Sequence, residues 1–329
     1  MQDSAAYEDF SDDVAQAFVV PPGVLGARLD KQLAQMFSEH SRGRLQGWIE
    51  AGYVKVNGQQ QCKVRSLVSE GDIIVVVPQP SEQDLAFEPQ PVEFEVVDAA
   101  EHWIVVNKPV GLVVHPGAGN WSQTLLNGLL YRFPELATVA RAGIVHRLDK
   151  DTSGLMVVAR TAVAQTSLVR QLQARSVSRQ YLAVAHGRLA QTAGRIDQPI
   201  GRDPRVAVRM TVQRPISPKE AVTDYALQTV GSFDGVVLSQ VQCSLQTGRT
   251  HQIRVHLSSI GHPLVGDTLY GGKVLGFAGR QMLHARRLSF DDPGDHQRLS
   301  FEGPLPDDMY AFLSQVAWQG QGDCRDESS

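Results

Sequence analysis

Leu29, Leu33, Met36 and Phe37 recur at helical spacing and predict a first helix. Ser41 offers an N-cap for a second short helix that carries Leu45, Trp48 and Ile49 and stops at Gly52. Tyr53 to Val56 then reads as a strand, and Asn57-Gly58 is a hairpin turn. After a further turn at Gly71-Asp72, the run Ile73 to Val77 predicts another strand. Two helices and a small sheet make one unit over residues 21–77.

Residues 78–91 hold four prolines and three acidic residues, the composition of a semi-rigid linker. Beyond it the apolar pattern changes. Val92 to Val97, Trp103 to Val106, Leu155 to Ala159, Tyr181 to Ala185, Thr223 to Thr229 and Val236 to Leu245 read as strands. Only Thr124 to Tyr131 and Thr161 to Ala174 read clearly as helices. Many strands with few helices predict an α+β fold around a mostly antiparallel mixed sheet, over residues 92–318. Residues 1–20 and 319–329 are expected to be disordered tails.

Composition bounds this picture without sharpening it. Hydrophobic residues make up 42% and charged residues 20% of 329, ordinary for a globular chain of two domains. No run of eighteen apolar residues exists, so no membrane span is expected. The acidic start, with no basic residue before Arg28, does not fit a secretory signal. Cys62, Cys243 and Cys324 lie far apart, which points to a reducing, cytoplasmic setting rather than a disulfide framework. No heptad pattern is evident, and a monomer is expected.

Charge changes the picture more. The net charge is −4, but residues 141–219 carry fourteen basic against four acidic residues, and residues 28–65 seven against three. Residues 66–100 carry eight acidic and no basic ones. Two basic islands in an acidic chain suggest a localised polyanion-binding face. In the first unit, Arg28, Lys31, Arg42, Arg44 and Lys55 supply it. Arg42 and Arg44 fall in the first turn of the second helix, where the helix dipole disfavours cations. They are poor choices for stability and reasonable ones for phosphate.

Candidate chemistry concentrates in the run His146-Arg147-Leu148-Asp149-Lys150-Asp151-Thr152-Ser153-Gly154. It lies between two apolar segments, so it is a polar loop pinned on both sides, where catalytic groups are usually placed. An ionised carboxylate fixed there can act as nucleophile or base. A loop whose Asp, Thr and Ser merely cap backbone groups has the same composition. A second cluster is Gly248-Arg249-Thr250-His251-Gln252-Ile253-Arg254-Val255-His256. Ile253, Leu257 and Ile260 favour a helix from near Thr250, with Arg249 at its edge, although Ile253, Val255 and Leu257 also alternate as in a strand. His251 and His256 diverge by about 140° on a helix, so no catalytic metal is expected. Tyr181, after Arg179-Gln180, is an aromatic beside arginine that could stack on a base. Asn107-Lys108-Pro109 forms another polar turn. No Walker or dinucleotide pattern occurs, so no nucleotide cofactor is expected.

Residues 21–77 resemble the S4 RNA-binding domain. The run from His146 to Gly154, Asn107-Lys108-Pro109, Arg179 to Tyr181 and Gly248 to Gln252 together resemble the RluA-type pseudouridine synthases. That resemblance implies isomerisation of uridine within RNA: the C1′–N1 bond breaks, the uracil turns and rejoins through C5. It implies no cofactor and no metal. It makes Asp149 the essential aspartate, Arg249 the arginine paired with it, and Tyr181 the tyrosine against the base. Arg147 would hold the flipped-out state, with His146, Lys108, Arg179 and His251 as further substrate contacts. The S4-like unit and the stretch Val113 to Asn120 narrow the likeness to members acting on 23S ribosomal RNA, free or in a pre-50S particle, at the loop of helix 69. The same chemistry on another RNA such as transfer RNA is one alternative. A non-catalytic RNA-binding or ribosome-assembly protein is another, and a hydrolase pairing Asp149 with His146 a third.

Overall fold

The Ser41 side chain accepts a hydrogen bond from the Arg44 backbone N–H at 3.4 Å and starts the helix Arg42–Glu50, as its position predicts. In the computed structural model, residues 15–38, 40–79, 84–117 and 119–319 are described. The chain divides into two units, residues 1–84 and 85–329. No helix among the described residues is long and apolar enough to cross a membrane.

In the first unit the helix Leu29–Met36 and the helix Arg42–Glu50 pack on an antiparallel sheet. Its strands run in the order Gln16–Val19, Ile73–Val76, Val54–Val56, Gln59–Gln61. Leu29, Leu33, Phe37, Leu45, Trp48 and Ile49 close the core against Val54, Ile74 and Val76. The edge strand Gln16–Val19 lies within the expected tail. Phe18 packs edge-on against Phe37 at 4.9 Å, and that apolar contact holds the strand in place. Residues 1–14 of that tail lie outside the described residues.

Three of the expected RNA contacts in this unit are engaged internally. Asp30 is fully buried and accepts hydrogen bonds from Arg28 (2.9 Å), Arg42 (2.6 Å) and Gln46 (2.8 Å). Burial pushes its carboxyl up, but these three donors outweigh burial and hold it well below the usual carboxylate range. Arg44 donates to the Gln79 carbonyl at 2.7 Å and lies over the Trp48 ring. Lys31 and Lys55 are exposed and have no ion pair among the described residues. The helix-dipole argument for Arg42 therefore has a local answer: its counter-charge is Asp30, which the sequence places twelve residues away.

The second unit is built on one mixed sheet. Its strands run in the order Ala193–Asp197, Val222–Phe233, Val236–Leu245, Ser178–His186, Leu283–Asp291, Ser153–Ala159, Trp103–Lys108, Glu95–Ala99. Every pairing is antiparallel except that of Leu283–Asp291 with Ser153–Ala159. Alternate residues serve opposite faces. Ile104, Val106, Met156 and Val158 join one core, while Trp103, Val105, Leu155 and Val157 join another. Both faces are covered, which is why these strands read as continuous apolar runs. Thr124 and Thr161 head the helices Leu125–Arg132 and Ala162–Gln173. Strands at Leu283–Asp291 and Arg298–Glu302 and the helix Asp307–Gln315 went unpredicted.

Part of the expected linker packs on this unit. The Gln90 N–H donates to the Asn127 carbonyl at 3.1 Å, and the Asn127 amide donates to Glu88 O at 2.8 Å. Residues 80–83 of that linker and 320–329 of the final tail lie outside the described residues.

Candidate active site

Leu148 is buried in the main core, while its neighbour Asp149 is only partly covered. Burying Leu148 holds Asp149 at the wall of a cavity of about 590 Å³. The loop around it is fastened by its backbone. Thr152 N–H donates to Asp149 O (3.1 Å), Gly111 N–H to Lys150 O (3.0 Å), and Arg280 Nη1 to Asp151 O (3.0 Å). At Gly154, with φ +117°, a Cβ would stand 2.2 Å from the Ala285 carbonyl oxygen, so only glycine lets the loop enter the sheet there.

Lys108 belongs to this fastening rather than to the cavity. It is fully buried, and its Nζ donates to the carbonyls of Pro109 (2.7 Å), Leu112 (2.9 Å) and Lys150 (2.9 Å). Burial pulls its ammonium down to about 7, against the opposing charges of Asp151 and Asp149. Three acceptors use all three ammonium donors, so the charged form is the one held. The expectation that Lys108 touches substrate is corrected: it ties the turn at Pro109 to the loop of Asp149. Lys108→Met keeps the volume and strands three carbonyls. The unfolding free energy should fall by about 2–4 kcal/mol. Denaturant unfolding of the purified chain measures this, and a loss under about 1 kcal/mol would contradict the role.

The ion pair of Asp149 also differs from expectation. Its partner is Arg254, whose Nη1 lies 3.1 Å from Asp149 Oδ2. Arg254 turns its other edge to Asp267, with Nε to Oδ2 at 2.7 Å and Nη2 to Oδ1 at 2.9 Å. Asp267 is 2% exposed. Burial opposes the Arg254 charge, but the bonds and charges of Asp267 and Asp149 outweigh burial and hold it protonated above its ordinary range. Arg249 lines the same cavity from its exposed edge, where its Nε donates to the Glu220 carbonyl at 2.9 Å. The helix that carries Arg254 is Gln252–Ser259, with His251 at its head. It buries Ile253 and Leu257 as predicted, but Ile260 falls past its end and is 36% exposed.

Arg179 and Tyr181 are two apart on one strand, so they share a face and both reach the cavity. Tyr181 is 5% exposed, and burial pushes its phenol up to about 12, so it stays protonated. Arg179 donates to the Leu245 carbonyl at 3.4 Å, while its buried Nε has no partner among the described residues. Gly248 makes room for it, since a Cβ there would meet Arg179 Nη1 at 2.8 Å.

His146 lines the cavity, yet its Nε2 accepts the Val157 N–H at 3.1 Å. Burial, aided by the Arg179 charge, pulls it down to about 3, so it is a neutral acceptor committed to the backbone. That commitment argues against the hydrolase reading. Arg147 is exposed at the cavity wall. His251 lies at the wall with its Nδ1 2.7 Å from the Tyr270 hydroxyl. His256 is buried between Thr223 (2.8 Å) and the Gln198 carbonyl (3.0 Å), away from His251's role.

Sequence reasoning missed Arg254, Asp267 and Tyr270. A signal for Arg254 existed: it follows Ile253 on the buried side of a helix, and a buried arginine demands an acidic partner. Asp267 and Tyr270 lie at the cap and the end of a single short 3-10 turn, Thr268–Tyr270, too brief to give a periodic signal. Together these residues give the cavity the Asp149 carboxylate, balanced by a shared guanidinium, a protonated phenol, and arginines along its wall. That set can hold a nucleoside and act on it through the carboxylate.

The family profile described as RNA pseudouridylate synthase matches residues 102–259, and that of the S4 domain matches residues 27–74. A ribosomal large subunit pseudouridine synthase D of Neisseria meningitidis is 48% identical over 306 residues, covering 90% of this chain and 80% of the relative. The protein of that name from Pseudomonas aeruginosa is 46% identical over 319 residues, covering 92% and 96%. Among solved structures, human RNA pseudouridylate synthase domain containing 1 superposes with a TM-score of 0.55 at 29% identity, covering 73% of this chain and 91% of that one.

Proposed function

The chain belongs to the RNA pseudouridylate synthase family, and from that premise we propose that it isomerises uridines of large-subunit 23S ribosomal RNA, in the loop of helix 69, through Asp149. The observation that carries the reading is the juxtaposition of Asp149, Arg254 and Tyr181 at one cavity. Its volume of about 590 Å³ falls in the range of roughly 300–1,000 Å³ typical of small-molecule sites. It therefore admits a single nucleoside and not a stacked helix. The target uridine must leave its stack, at a cost of a few kcal/mol. Phosphate contacts by Arg147, Arg249 and the exposed arginines beyond them offset that cost.

Within the cavity, Asp149 acts on the reacting nucleoside, and Arg254 holds its carboxylate in place. Tyr181 packs against the base. The C1′–N1 bond is exchanged for a C1′–C5 bond, N1 ends with a proton and C5 loses one, so atoms balance without a cofactor. Residues 92–318 form the catalytic domain. Residues 21–77 add RNA affinity through the linker by raising effective concentration, with Lys31 and Lys55 among the cations that have no ion pair among the described residues. The enzyme is read as a cytoplasmic monomer acting on free 23S RNA or a pre-50S particle. Cys62 is exposed, Cys243 is buried, and both are free thiols.

The test is a map of pseudouridine in ribosomal and transfer RNA from cells with and without this chain. The expected result is loss confined to large-subunit uridines in the helix 69 loop. Loss confined to transfer RNA would replace the target, and an unchanged map with an assembly defect would replace the activity.

A further inference from the structure

Tyr270 is 4% exposed, and burial pushes its phenol up to about 12, so its oxygen carries a proton. That oxygen accepts the Met210 N–H at 3.0 Å and lies 2.7 Å from His251 Nδ1. Two arrangements of the second bond are open. If His251 Nδ1 carried the proton, the buried tyrosine hydrogen would be left without an acceptor, an expensive outcome. If Tyr270 donates to Nδ1, the tyrosine hydrogen and Nδ1 are both satisfied. The imidazole proton then sits on Nε2, which has no partner among the described residues and belongs to a ring at the cavity wall.

We infer that His251 is a uridine-recognition residue, fixed by Tyr270 as the neutral Nε2–H tautomer, which donates a hydrogen bond to an acceptor oxygen of the flipped-out uridine. The inference rests on this cavity being the uridine site. Its surroundings favour the neutral ring. Burial lowers the His251 pKa first, and the charges of Arg254 and Arg147 oppose a second cation, against Asp149 and Asp267. The guanidiniums of Arg254 and Arg209 lie 5.0 Å and 5.4 Å from the centroid of the Tyr270 ring. Tyr270 is thus a positioning residue. It packs against the arginine that holds Asp149 and sets which proton His251 offers.

The backbone of His251 makes a sharp test. Its φ is +56°, a conformation asparagine tolerates better than glutamine. Glutamine, however, can place an amide N–H near the Nε2 position, and asparagine cannot. Single-turnover rates and RNA affinities are measured for His251→Gln and His251→Asn. Glutamine should stay within about threefold of the parent, and asparagine should lose about tenfold or more. Equal rates, or asparagine ahead, would mean that backbone geometry rather than the donor matters, and would overturn the inference. RNAs carrying 2-thiouridine, 4-thiouridine or 2′-deoxyuridine at the target name the acceptor. The penalty of one of them should shrink in His251→Asn, and no shrinkage in any also overturns it.

The tautomer is read without any activity, from ¹⁵N shifts of labelled histidine in the intact chain. The Nε2–H form is expected, and it should give way to a mixture in Tyr270→Phe. An Nδ1–H signal in the parent chain rejects the inference even if Asp149 proves essential. Full activity in Asp149→Asn would reject the site itself instead.

Discussion

Asp149→Asn is expected to lower the single-turnover rate of pseudouridine formation by about 10⁴-fold or more, the scale seen when a central catalytic group is removed. The substitution keeps the size of the side chain and an oxygen that can face Arg254 at the same 3.1 Å position. Leu148 stays buried and the backbone bonds of Asp149 and Lys150 are untouched, so the loop should hold its shape. RNA affinity should be unchanged or slightly higher, because one negative charge leaves a cavity lined by Arg147, Arg179 and Arg249. The rate and the affinity therefore separate. A residual rate above about one hundredth of the parent would remove Asp149 from the chemistry. A matching fall in affinity would make it a binding residue.

Arg254→Leu is expected to act on stability and rate together. It leaves Asp267, 2% exposed, without the two hydrogen bonds that balance it. Breaking a buried pair from one side costs about 3–5 kcal/mol. Asp149 loses its only ion-pair partner among the described residues at the same time, and the rate should fall by about 100-fold or more once the folded fraction is allowed for. Arg254→Lys restores charge but not the fork that spans two carboxylates, so it should recover stability in part and rate less. Arg249→Leu is the control. Its guanidinium donates to a carbonyl at the exposed rim, so its loss should cost about tenfold at most and little stability. Were Arg249→Leu the more damaging in rate, the pairing of Asp149 with Arg254 would not be the one that matters.

These two residues also show how far the site could be read in advance. Arg249 and Arg254 lie in the same short run and differ in nothing that composition or motif order can weigh. What separates them is that Arg254 lies inside a helix buried all round and Arg249 lies before it. Arg254 sits on a turn whose residues 252–257 are all buried, while Arg249 precedes the helix at an exposed edge. Lys108 misled for a similar reason. A lysine in a polar turn reads as a surface cation, and only the closure of that turn over Lys150 puts its ammonium among three carbonyls. Arg179 and Tyr181 were singled out by their adjacency and by the motif resemblance, and the strand Ser178–His186, which starts before the expected Tyr181, puts them on one face through its period of two.

The amphipathic helices of the first unit, the hairpin turn at Asn57-Gly58, the continuous strands of the second and the loop of Asp149 all followed from local patterns. Each depends on backbone periodicity or on turn residues close in the chain. The partners of the charged groups did not follow. Asp149 meets Arg254 across 105 residues, and Asp30 gathers Arg42 and Gln46 from the following helix besides its near neighbour Arg28. A buried charge takes whichever counter-charge the packed core brings within about 3 Å, and that choice is made by distance in space. Local spacing placed the carboxylate in its loop, and packing of the sheet and the Gln252–Ser259 helix chose the guanidinium that answers it.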